Sequence, residues 1–221
     1  MKKVTFEDIK NSEEIKTYIR QADASLLELG YTEHSFAHVM RCAEMGSRWL
    51  LQLGYSEREA DLARIAGYMH DIGNIVNRVD HAQSGALLAH HILDKMGMPP
   101  ADIAVVITAI GNHDEGTAFP VNSVAAALIL ADKTDVRRSR VRNSENINFD
   151  IHDRVNYAVK KAVTALDVPE RTLTLNLDIE TEICSVMDYF EIFMDRMLLC
   201  RRASNFFNIH FQLNINGSAL M

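Results

Sequence analysis

Apolar residues recur at intervals of three and four through most of the first 166 residues, which is the spacing of amphipathic helices. In residues 12–29, for example, Ile15, Ile19 and Leu26 form one stripe. Ser12 can cap the start of this helix, and Gly30 favours its end. The pattern predicts helices over residues 12–29, 32–53, 56–71, 80–97, 99–110, 122 to just past 132, and 151–166.

Two segments near the C-terminus alternate between apolar and polar residues, and a period of two is typical of half-buried strands. They are residues 172–179 and 207–216, with a helix rich in Met and Phe predicted between them over 180–203. The sequence therefore predicts a mainly α fold, with a helical body over 1–168 and a small strand–helix–strand appendage over 169–221. Because two strands alone are marginal in water and exposed edges invite pairing, we expect this appendage to pack on the body or to form a homodimer.

Composition narrows the class of protein. Apolar residues make up 48% of the 221, enough for a large core, and the formal net charge is −7. An acidic balance argues against a general nucleic-acid binder, which usually carries a basic surface. The three cysteines form no CxxC pair, and no apolar stretch has the length of a membrane span or the form of a signal peptide. We therefore expect a cytoplasmic protein without a membrane partner.

The pair His70 and Asp71 closes an apolar helical run, where burying an imidazole and a carboxylate is unfavourable unless something pairs with them. Asp132 poses the same problem inside the apolar run AAALILADK. These residues alone leave two interpretations open: ordinary polar helix ends, with Asp132 paired to Lys133 or Arg137, or a metal site. Further histidines at or near predicted helix ends favour the metal site: His38, His81 and His113.

The order His … His-Asp … Asp, with HDIG after an apolar helix and ADK near the end of a later one, resembles the HD superfamily of metal-dependent phosphohydrolases. The resemblance covers about residues 34–140 and implies an HD-type helical bundle. It places the core metal ligands at His38, His70, Asp71 and Asp132. Two further residues resemble the additional histidines of members that bind two metals: His81 and His113.

The resemblance implies one or two divalent ions, and imidazole and carboxylate ligands suit Fe, Mn, Co, Ni, Zn or Mg. A bound ion acidifies water, which then attacks phosphorus, while the cation neutralises the phosphoryl oxygens. His70 and Asp71 are the expected catalytic residues, and Asp71 would bridge the ions when both are present. The expected reaction is hydrolysis of a phosphate ester or anhydride, in a nucleotide or a related small phosphorylated metabolite.

Three basic residues near the expected metal site are candidates for binding the phosphorylated substrate. Arg137 and Arg138 follow shortly after Asp132, and a guanidinium matches the geometry of phosphate. His34 lies four residues before His38, hence on the same helix face. Each also has an ordinary interpretation, the arginines as a solvated helix end that pairs with acidic residues and His34 as a half-exposed histidine.

Departures from the family pattern leave alternatives open. Asn74 follows HDIG where many members have Lys, so any role of that Lys in phosphate binding is vacant or filled elsewhere. Residues 113–120 faintly resemble a segment of the cyclic-dinucleotide phosphodiesterase branch, which is a minor alternative. Two others are a non-catalytic module that binds a metal or nucleotide as a signal, and a dinuclear-iron oxygenase.

Overall fold

The structure is a computed structural model that describes residues 3–142 and 151–221 of the chain. The helices in these residues are α1 (Phe6–Lys10), α2 (Glu13–Glu28), α3 (Phe36–Gln52), α4 (Glu57–Met69), α5 (His81–Lys95), α6 (Pro100–Gly111), α7 (Ser123–Lys133), α8 (Ile151–Ala158) and α9 (Val186–Phe206). The strands are β1 (Val159–Asp167), β2 (Thr172–Ile179), β3 (His210–Ile215) and β4 (Ser218–Ala219). Two short 3₁₀ helices, Ile72–Ile75 and Arg138–Arg140, follow α4 and α7.

The helical body forms where the periodicity predicts it. α2 begins after Ser12, whose side chain accepts a hydrogen bond from the backbone N–H of Ile15. α4 opens with a capping box, in which Ser56 and Glu59 each accept from the other's backbone N–H. The fold class predicted from the sequence, a mainly α bundle with a small C-terminal sheet, is confirmed. Among the helices of the described residues, none has both the length and the apolar composition needed to cross a bilayer.

Two glycines let backbone segments approach each other closely. A Cβ on Gly67 of α4 would lie 2.7 Å from the backbone N of Ala43 in α3, so these helices pack backbone against backbone. A Cβ on Gly73 would overlap the backbone oxygen of His81 at the start of α5. Because backbone atoms cannot move aside as a flexible side chain can, only glycine fits at these positions. The close contacts bring α3, the end of α4 and the start of α5 together.

The C-terminal region confirms one predicted strand and corrects two other predictions. β2 spans Thr172–Ile179 as the alternation predicts. The helix predicted over residues 151–166 is wrong beyond Ala158, because the chain continues as β1. Pairing of β1 with β2, as between Leu166 and Leu173, is a tertiary contact that local periodicity does not reveal. The strand predicted over 207–216 starts only at His210, since α9 extends further than predicted.

The four strands form one sheet in the order β1-β2-β3-β4. β1 and β2 are antiparallel, β2 and β3 parallel, and β3 and β4 antiparallel. The helix α9 connects the two parallel strands and also contacts α7 and α8. Its buried Phe193, Met197 and Cys200 belong to the same core as the body. The C-terminal region therefore packs on the helical body, while the predicted domain boundary at residue 168 stays a prediction.

Candidate metal centre

The structure brings together all six side chains that the sequence predicts as metal ligands, and each comes from the end of a helix. His38 lies in the first turn of α3, His70 and Asp71 follow α4, His81 opens α5, His113 follows α6, and Asp132 lies in the last turn of α7. Five of the six are buried, and the side chain of Asp132 is 12% exposed. The apolar faces of these helices form the bundle core, so their polar ends meet at one side of it.

The carboxylate of Asp71 lies at the middle of this arrangement. Its Oδ2 is 3.0 Å from Nε2 of His70 and 3.6 Å from Nε2 of His38. Its Oδ1 is 3.7 Å from Nε2 of His81 and 3.9 Å from Nε2 of His113. The two oxygens of one carboxylate thus face two different groups of imidazoles. This is the arrangement that a carboxylate bridging two ions requires.

Asp132 joins the first of these groups, because its Oδ1 is 3.4 Å from Nε2 of His38. Donor atoms of His38, His70 and Asp132 all lie within 4.8 Å of one another, as do those of His70, Asp71 and His113. Such spacing suits an ion at about 2 Å from each donor. The geometry therefore contains two overlapping donor sets that share His70.

All four imidazoles are held through Nδ1. The pairs are His38 with the Asp135 carboxylate (2.8 Å), His70 with the Gly67 carbonyl (2.8 Å), His81 with the Arg78 carbonyl (3.0 Å) and His113 with the Ile110 carbonyl (2.6 Å). Because a carbonyl or an ionised carboxylate only accepts, each Nδ1 is the donor. In the neutral ring Nε2 is then left with a free lone pair. Backbone carbonyls set three of the rings and the Asp135 carboxylate sets the ring of His38, so that each Nε2 faces Asp71.

The nitrogens Nε2 of His81 and His113 lie 3.3 Å apart. Since each ring uses its Nδ1 as a donor, both Nε2 atoms present lone pairs, and two lone pairs at this distance repel. A cation shared between them would remove the repulsion. Arg78 lies on the same side, with Nη1 3.0 Å from Nε2 of His81. This second donor pair, His81 and His113, is thus suited to a positive charge.

Two buried polar atoms at the centre have no hydrogen-bond partner among the described residues, Nε2 of His70 and Oδ2 of Asp71. They are 3.0 Å apart, yet they do not have the geometry of a hydrogen bond to each other. Buried polar atoms without partners are rare in folded proteins and indicate a missing ion or water. A divalent cation beside both atoms would satisfy them, so the residues fit a metal ion.

Electrostatics inside the site keeps both carboxylates ionised. Burial acts to raise the pKa of Asp71, but the surrounding imidazoles, His70 foremost, together hold that pKa well below its usual range. Burial likewise acts to raise the pKa of Asp132, but Lys133 and the nearby imidazoles together hold that pKa well below its usual range. Burial also lowers the pKa of both rings of the second donor pair. The ionised carboxylates and the neutral second donor pair thus have the protonation states that metal ligands require, whereas Asp71 acts against burial and raises the pKa of His70, so that an ion binding there would displace a proton.

Asn74, the residue that replaces the expected lysine after HDIG, is buried and contacts Asp71. Its Nδ2 donates to the Asp71 backbone oxygen at 3.0 Å and to Oδ1 of the same residue at 3.1 Å. Two bonds from one amide fix the direction of the carboxylate. The asparagine therefore orients a predicted metal ligand instead of lining the pocket.

Cys42 lies one turn after His38 on α3. Its thiol lies within 4.8 Å of donor atoms of His38, His70 and Asp132. Its Sγ is 3.9 Å from Nδ1 and 3.8 Å from Nε2 of His38, so it lies beside the ring and not ahead of Nε2. Burial also raises the pKa of Cys42 well above its usual value, which disfavours the thiolate that metals bind. We assign Cys42 to packing.

An open pocket leads to the donor atoms, and its charged lining is balanced in sign. Its basic residues are Arg78, Lys133, Arg140 and Arg196, and its acidic residues are Asp71, Asp114, Glu115 and Asp132. His34, predicted to contact substrate, also lines the pocket, with its Nδ1 2.7 Å from the backbone oxygen of Thr32. Since the formal charges of the lining cancel, one or two divalent ions would make the pocket positive and attractive to phosphate.

Arg137 and Arg138, the other residues predicted to bind substrate, are not among the residues that line this pocket. Arg137 pairs with Asp135 at 2.8 Å and with Glu33 at 3.4 Å. Arg138 pairs with Glu180 at 2.6 Å and stacks on a tyrosine ring. Both guanidinium groups thus contact carboxylates of the protein itself, and their predicted role with substrate stays a prediction.

Sequence reasoning missed several residues that the structure places at the site, among them Arg78, Asp135 and Arg196. Asp135 is buried and bonded to Nδ1 of His38, and a signal existed, because it lies three residues after Asp132 and before a run of arginines. Arg196 lines the pocket from α9. No local pattern distinguishes it, because it lies in a segment whose apolar stripe indicates only core packing.

The fold and the site define a class of protein. A family model described as HD domain matches residues 35–192, which is more than half of the chain, so the chain belongs to the HD-domain family. The predicted family is therefore confirmed. Together with the cluster of His and Asp donors, the family supports a metal-dependent hydrolase in general terms.

Two individual relatives can be described. Over 162 residues the chain is 24% identical to the uncharacterized protein MJ1020 of Methanocaldococcus jannaschii, in an alignment covering 63% of this chain and 62% of that protein. The chain thus spans less than two thirds of that relative's length. It is also similar to the crystal structure of a predicted HD superfamily hydrolase from an uncultured Thermotogales bacterium, with 28% identity, coverage of 56% of this chain and 67% of the other, and a TM-score of 0.45.

Proposed function

We propose that this protein hydrolyses a phosphate ester or anhydride in a nucleotide or a related small phosphorylated metabolite, using one or two divalent ions. The ions would be held by His38, His70, Asp71 and Asp132 on one side and by the second donor pair on the other. When bound, such ions supply acidified water and positive charge for the phosphoryl oxygens.

The observation that carries the proposal is the common orientation of the imidazoles. Every ring donates from Nδ1 to a protein oxygen and turns Nε2 toward Asp71. A cluster of histidines buried only for packing would have no reason to turn four Nε2 atoms toward one carboxylate. Metal binding explains the arrangement, because Nε2 and carboxylate oxygens are its usual donors.

The surrounding residues of the chain have separate tasks in this proposal. Asn74 fixes the direction of the Asp71 carboxylate, and Asp135 fixes the His38 ring. Asp114 lines the pocket with its Oδ1 3.8 Å from Nε2 of His81, where it is placed to accept a proton from the attacking water. Glu115 is engaged by two cations, Lys133 and Arg196, and is not assigned that role.

The proposal is tested by phosphate release from purified protein. The protein is stripped with a chelator, reloaded separately with Mn, Fe, Co, Ni, Zn or Mg, and assayed with nucleoside mono- and triphosphates and with p-nitrophenyl phosphate. We expect release that a chelator abolishes and that at least one of these metals restores. The variant Asp71→Ala should lose at least a hundred-fold, as expected for loss of a group that acts on the transition state.

Other results in the same assay identify the alternatives. Binding of metal and nucleotide without phosphate release indicates a non-catalytic signalling module. Oxygen consumption by the iron-loaded protein, with no turnover under anaerobic conditions, indicates a dinuclear-iron oxygenase. Cleavage of a cyclic dinucleotide alone indicates the cyclic-dinucleotide branch. Each of these outcomes contradicts the proposed function.

A further inference from the structure

One cationic residue of the pocket comes from outside the helical body. Arg196 lies in α9, beyond residue 192 at which the match to the HD family model ends, yet it lines the same pocket as Asp71 and Asp132. The C-terminal region, which the sequence assigns to an appendage, thus contributes directly to the wall of the candidate active site.

Arg196 is held in place on two sides. Its Nε forms an ion pair with Oε1 of Glu115, and its guanidinium carbon lies 4.3 Å from the centre of the Phe193 ring, one turn earlier on α9. Stacking on an aromatic face fixes the plane of a guanidinium, and the Glu115 carboxylate beside Nε adds an electrostatic contact without the geometry of a hydrogen bond. The group is therefore preorganised, with its side chain 19% exposed.

A chain of alternating charges connects Arg196 to the predicted metal ligands. The same Oε1 of Glu115 lies 3.8 Å from Nζ of Lys133, and this Nζ lies 2.7 Å from Oδ2 of Asp132. Three ion pairs thus link Arg196 to Asp132, so it is too remote to share that ligand but lies inside the same pocket. This separation suits a part of the substrate other than the phosphoryl group under attack.

The terminal nitrogens of Arg196 differ from those of Arg140, another arginine that lines the pocket. Within residues 3–142 and 151–221, neither Nη atom of Arg196 makes a hydrogen bond, and the contact of this guanidinium with Glu115 runs through Nε. Arg140, by contrast, donates to backbone oxygens of Glu33 and Asp135. A fixed guanidinium with two free terminal donors in a pocket is built to receive an anion bidentately.

We propose that Arg196 binds a second anionic group of the substrate, so that the pocket selects phosphate esters carrying another phosphate or a carboxylate. The inference rests on the proposed function for the reacting phosphoryl group and adds the residue that chooses among its substrates. It also makes α9 part of the substrate-binding site.

The test compares matched ligands that differ by one anionic group. Adenosine 5′-monophosphate is paired with adenosine 3′,5′-bisphosphate, and glycerol 3-phosphate with 3-phosphoglycerate. Binding to the full-length, metal-loaded protein is measured by calorimetry, and phosphate release is measured separately. The variants are Arg196→Gln and Arg196→Lys, and the control is Arg201→Gln, an exposed arginine on the same helix.

We expect the wild type to bind the more anionic member of at least one pair more tightly. Arg196→Gln should weaken binding of that ligand by about ten-fold to a hundred-fold, the size of a lost charge-assisted contact. It should change binding of the less anionic member of the pair by less than two-fold. Arg196→Lys keeps the charge without the planar guanidinium, so its affinity for the more anionic ligand should lie between those of the wild type and Arg196→Gln. Arg201→Gln should match the wild type.

The inference is overturned when the wild type shows no preference in either pair, or when Arg196→Gln and Arg196→Lys weaken both members equally. Equal weakening would assign Arg196 to holding α9 against the loop of Glu115. Because binding and phosphate release are separate readouts, an Arg196-dependent preference without phosphate release would contradict the proposed hydrolysis and leave the anion subsite standing.

Discussion

Oδ2 of Asp135 lies 2.8 Å from Nδ1 of His38, on the edge of the ring opposite the one that faces Asp71 and Asp132. The same carboxylate also forms ion pairs with Arg41 at 3.0 Å and with Arg137 at 2.8 Å, so its position is fixed from several sides. A carboxylate that orients a ligating imidazole raises the basicity of that ligand and holds its tautomer.

Asp135→Asn should therefore weaken metal binding without touching the ion. We expect about a ten-fold to hundred-fold rise in the dissociation constant for Mn²⁺, measured by calorimetry, because the amide no longer fixes Nδ1 as the donor. Asp102→Asn is a matched control, since Asp102 pairs with Arg58 away from the site. Unchanged Mn²⁺ affinity in Asp135→Asn would show that the contact does not orient His38.

Gly67→Ala tests whether the close approach of α3 and α4 positions the site. The new Cβ would lie 2.7 Å from the backbone N and 2.8 Å from the Cα of Ala43. We expect a loss of about 1–3 kcal/mol in the free energy of unfolding, measured by urea denaturation, because the helices must separate.

The control for that variant is Gly111→Ala, at the end of α6. A Cβ there would lie 3.7 Å from the Cβ of Ala86, which is ordinary contact. We expect no loss, or a gain of up to about 1 kcal/mol from reduced flexibility of the unfolded chain. Equal stability of the two variants would mean that α3 and α4 can move apart freely.

The hydroxyl of Tyr189, on α9, gives stability a dependence on alkaline pH. Burial raises the pKa of Tyr189 above its ordinary value of 10.0. The unfolded chain releases this proton near pH 10 while the folded chain keeps it, so the contribution is complete below that pH and is lost as pH rises. Above pH 10 the loss approaches about 1.4 kcal/mol per pH unit.

Tyr189→Phe isolates this contribution, because it keeps the ring that packs on Phe193 and removes the ionisable group. Urea denaturation of the wild type and the variant between pH 8 and pH 11 gives the comparison. We expect the difference in unfolding free energy to shift in favour of the variant above pH 10. A constant difference over the whole range would contradict the buried, protonated hydroxyl.

The edge of the sheet is where a homodimer would form. β1 is an outer strand, paired with β2 alone among the described strands, and Val163 on it is 43% exposed. We propose that β1 pairs with the same strand of a second copy. Val163→Lys should then shift the protein from dimer to monomer in analytical ultracentrifugation.

Val168→Lys is the control for this proposal, because Val168 is 41% exposed but lies in the turn after β1. It should leave the sedimentation of the protein unchanged. A wild type that sediments as a monomer at every concentration, or a Val163→Lys variant that stays dimeric, would refute pairing through β1.

Local patterns were enough to predict most of the helices. Signals that act within a few residues were reliable. Helices begin after Ser12 and Ser56, and the alternating residues 172–179 form a strand, as predicted. Polar residues at the ends of apolar helices indicated that something must pair with them, but the six ligands were assigned from the resemblance to the HD superfamily, and their role as ligands stays a prediction.

What could not be predicted depends on contacts between distant segments. The strand at Val159–Asp167 exists because β2 pairs with it, although its composition also fits a helix. Arg196 reaches the pocket only because α9 packs against α7. Asp135 could have been suspected from its spacing, yet its bond to His38 spans 97 positions of the chain.

The central claim is that His38, His70, Asp71, Asp132 and the second donor pair hold ions together. The most direct test is Mn²⁺ binding to the chelator-stripped protein. Calorimetry and elemental analysis of the loaded sample compare the wild type with Asp71→Asn and Asp102→Asn. We expect one or two ions per chain in the wild type and in Asp102→Asn, and a loss of bound Mn²⁺ in Asp71→Asn, because Asp71 faces both groups of imidazoles. The same stoichiometry and affinity in all three proteins would contradict the claim.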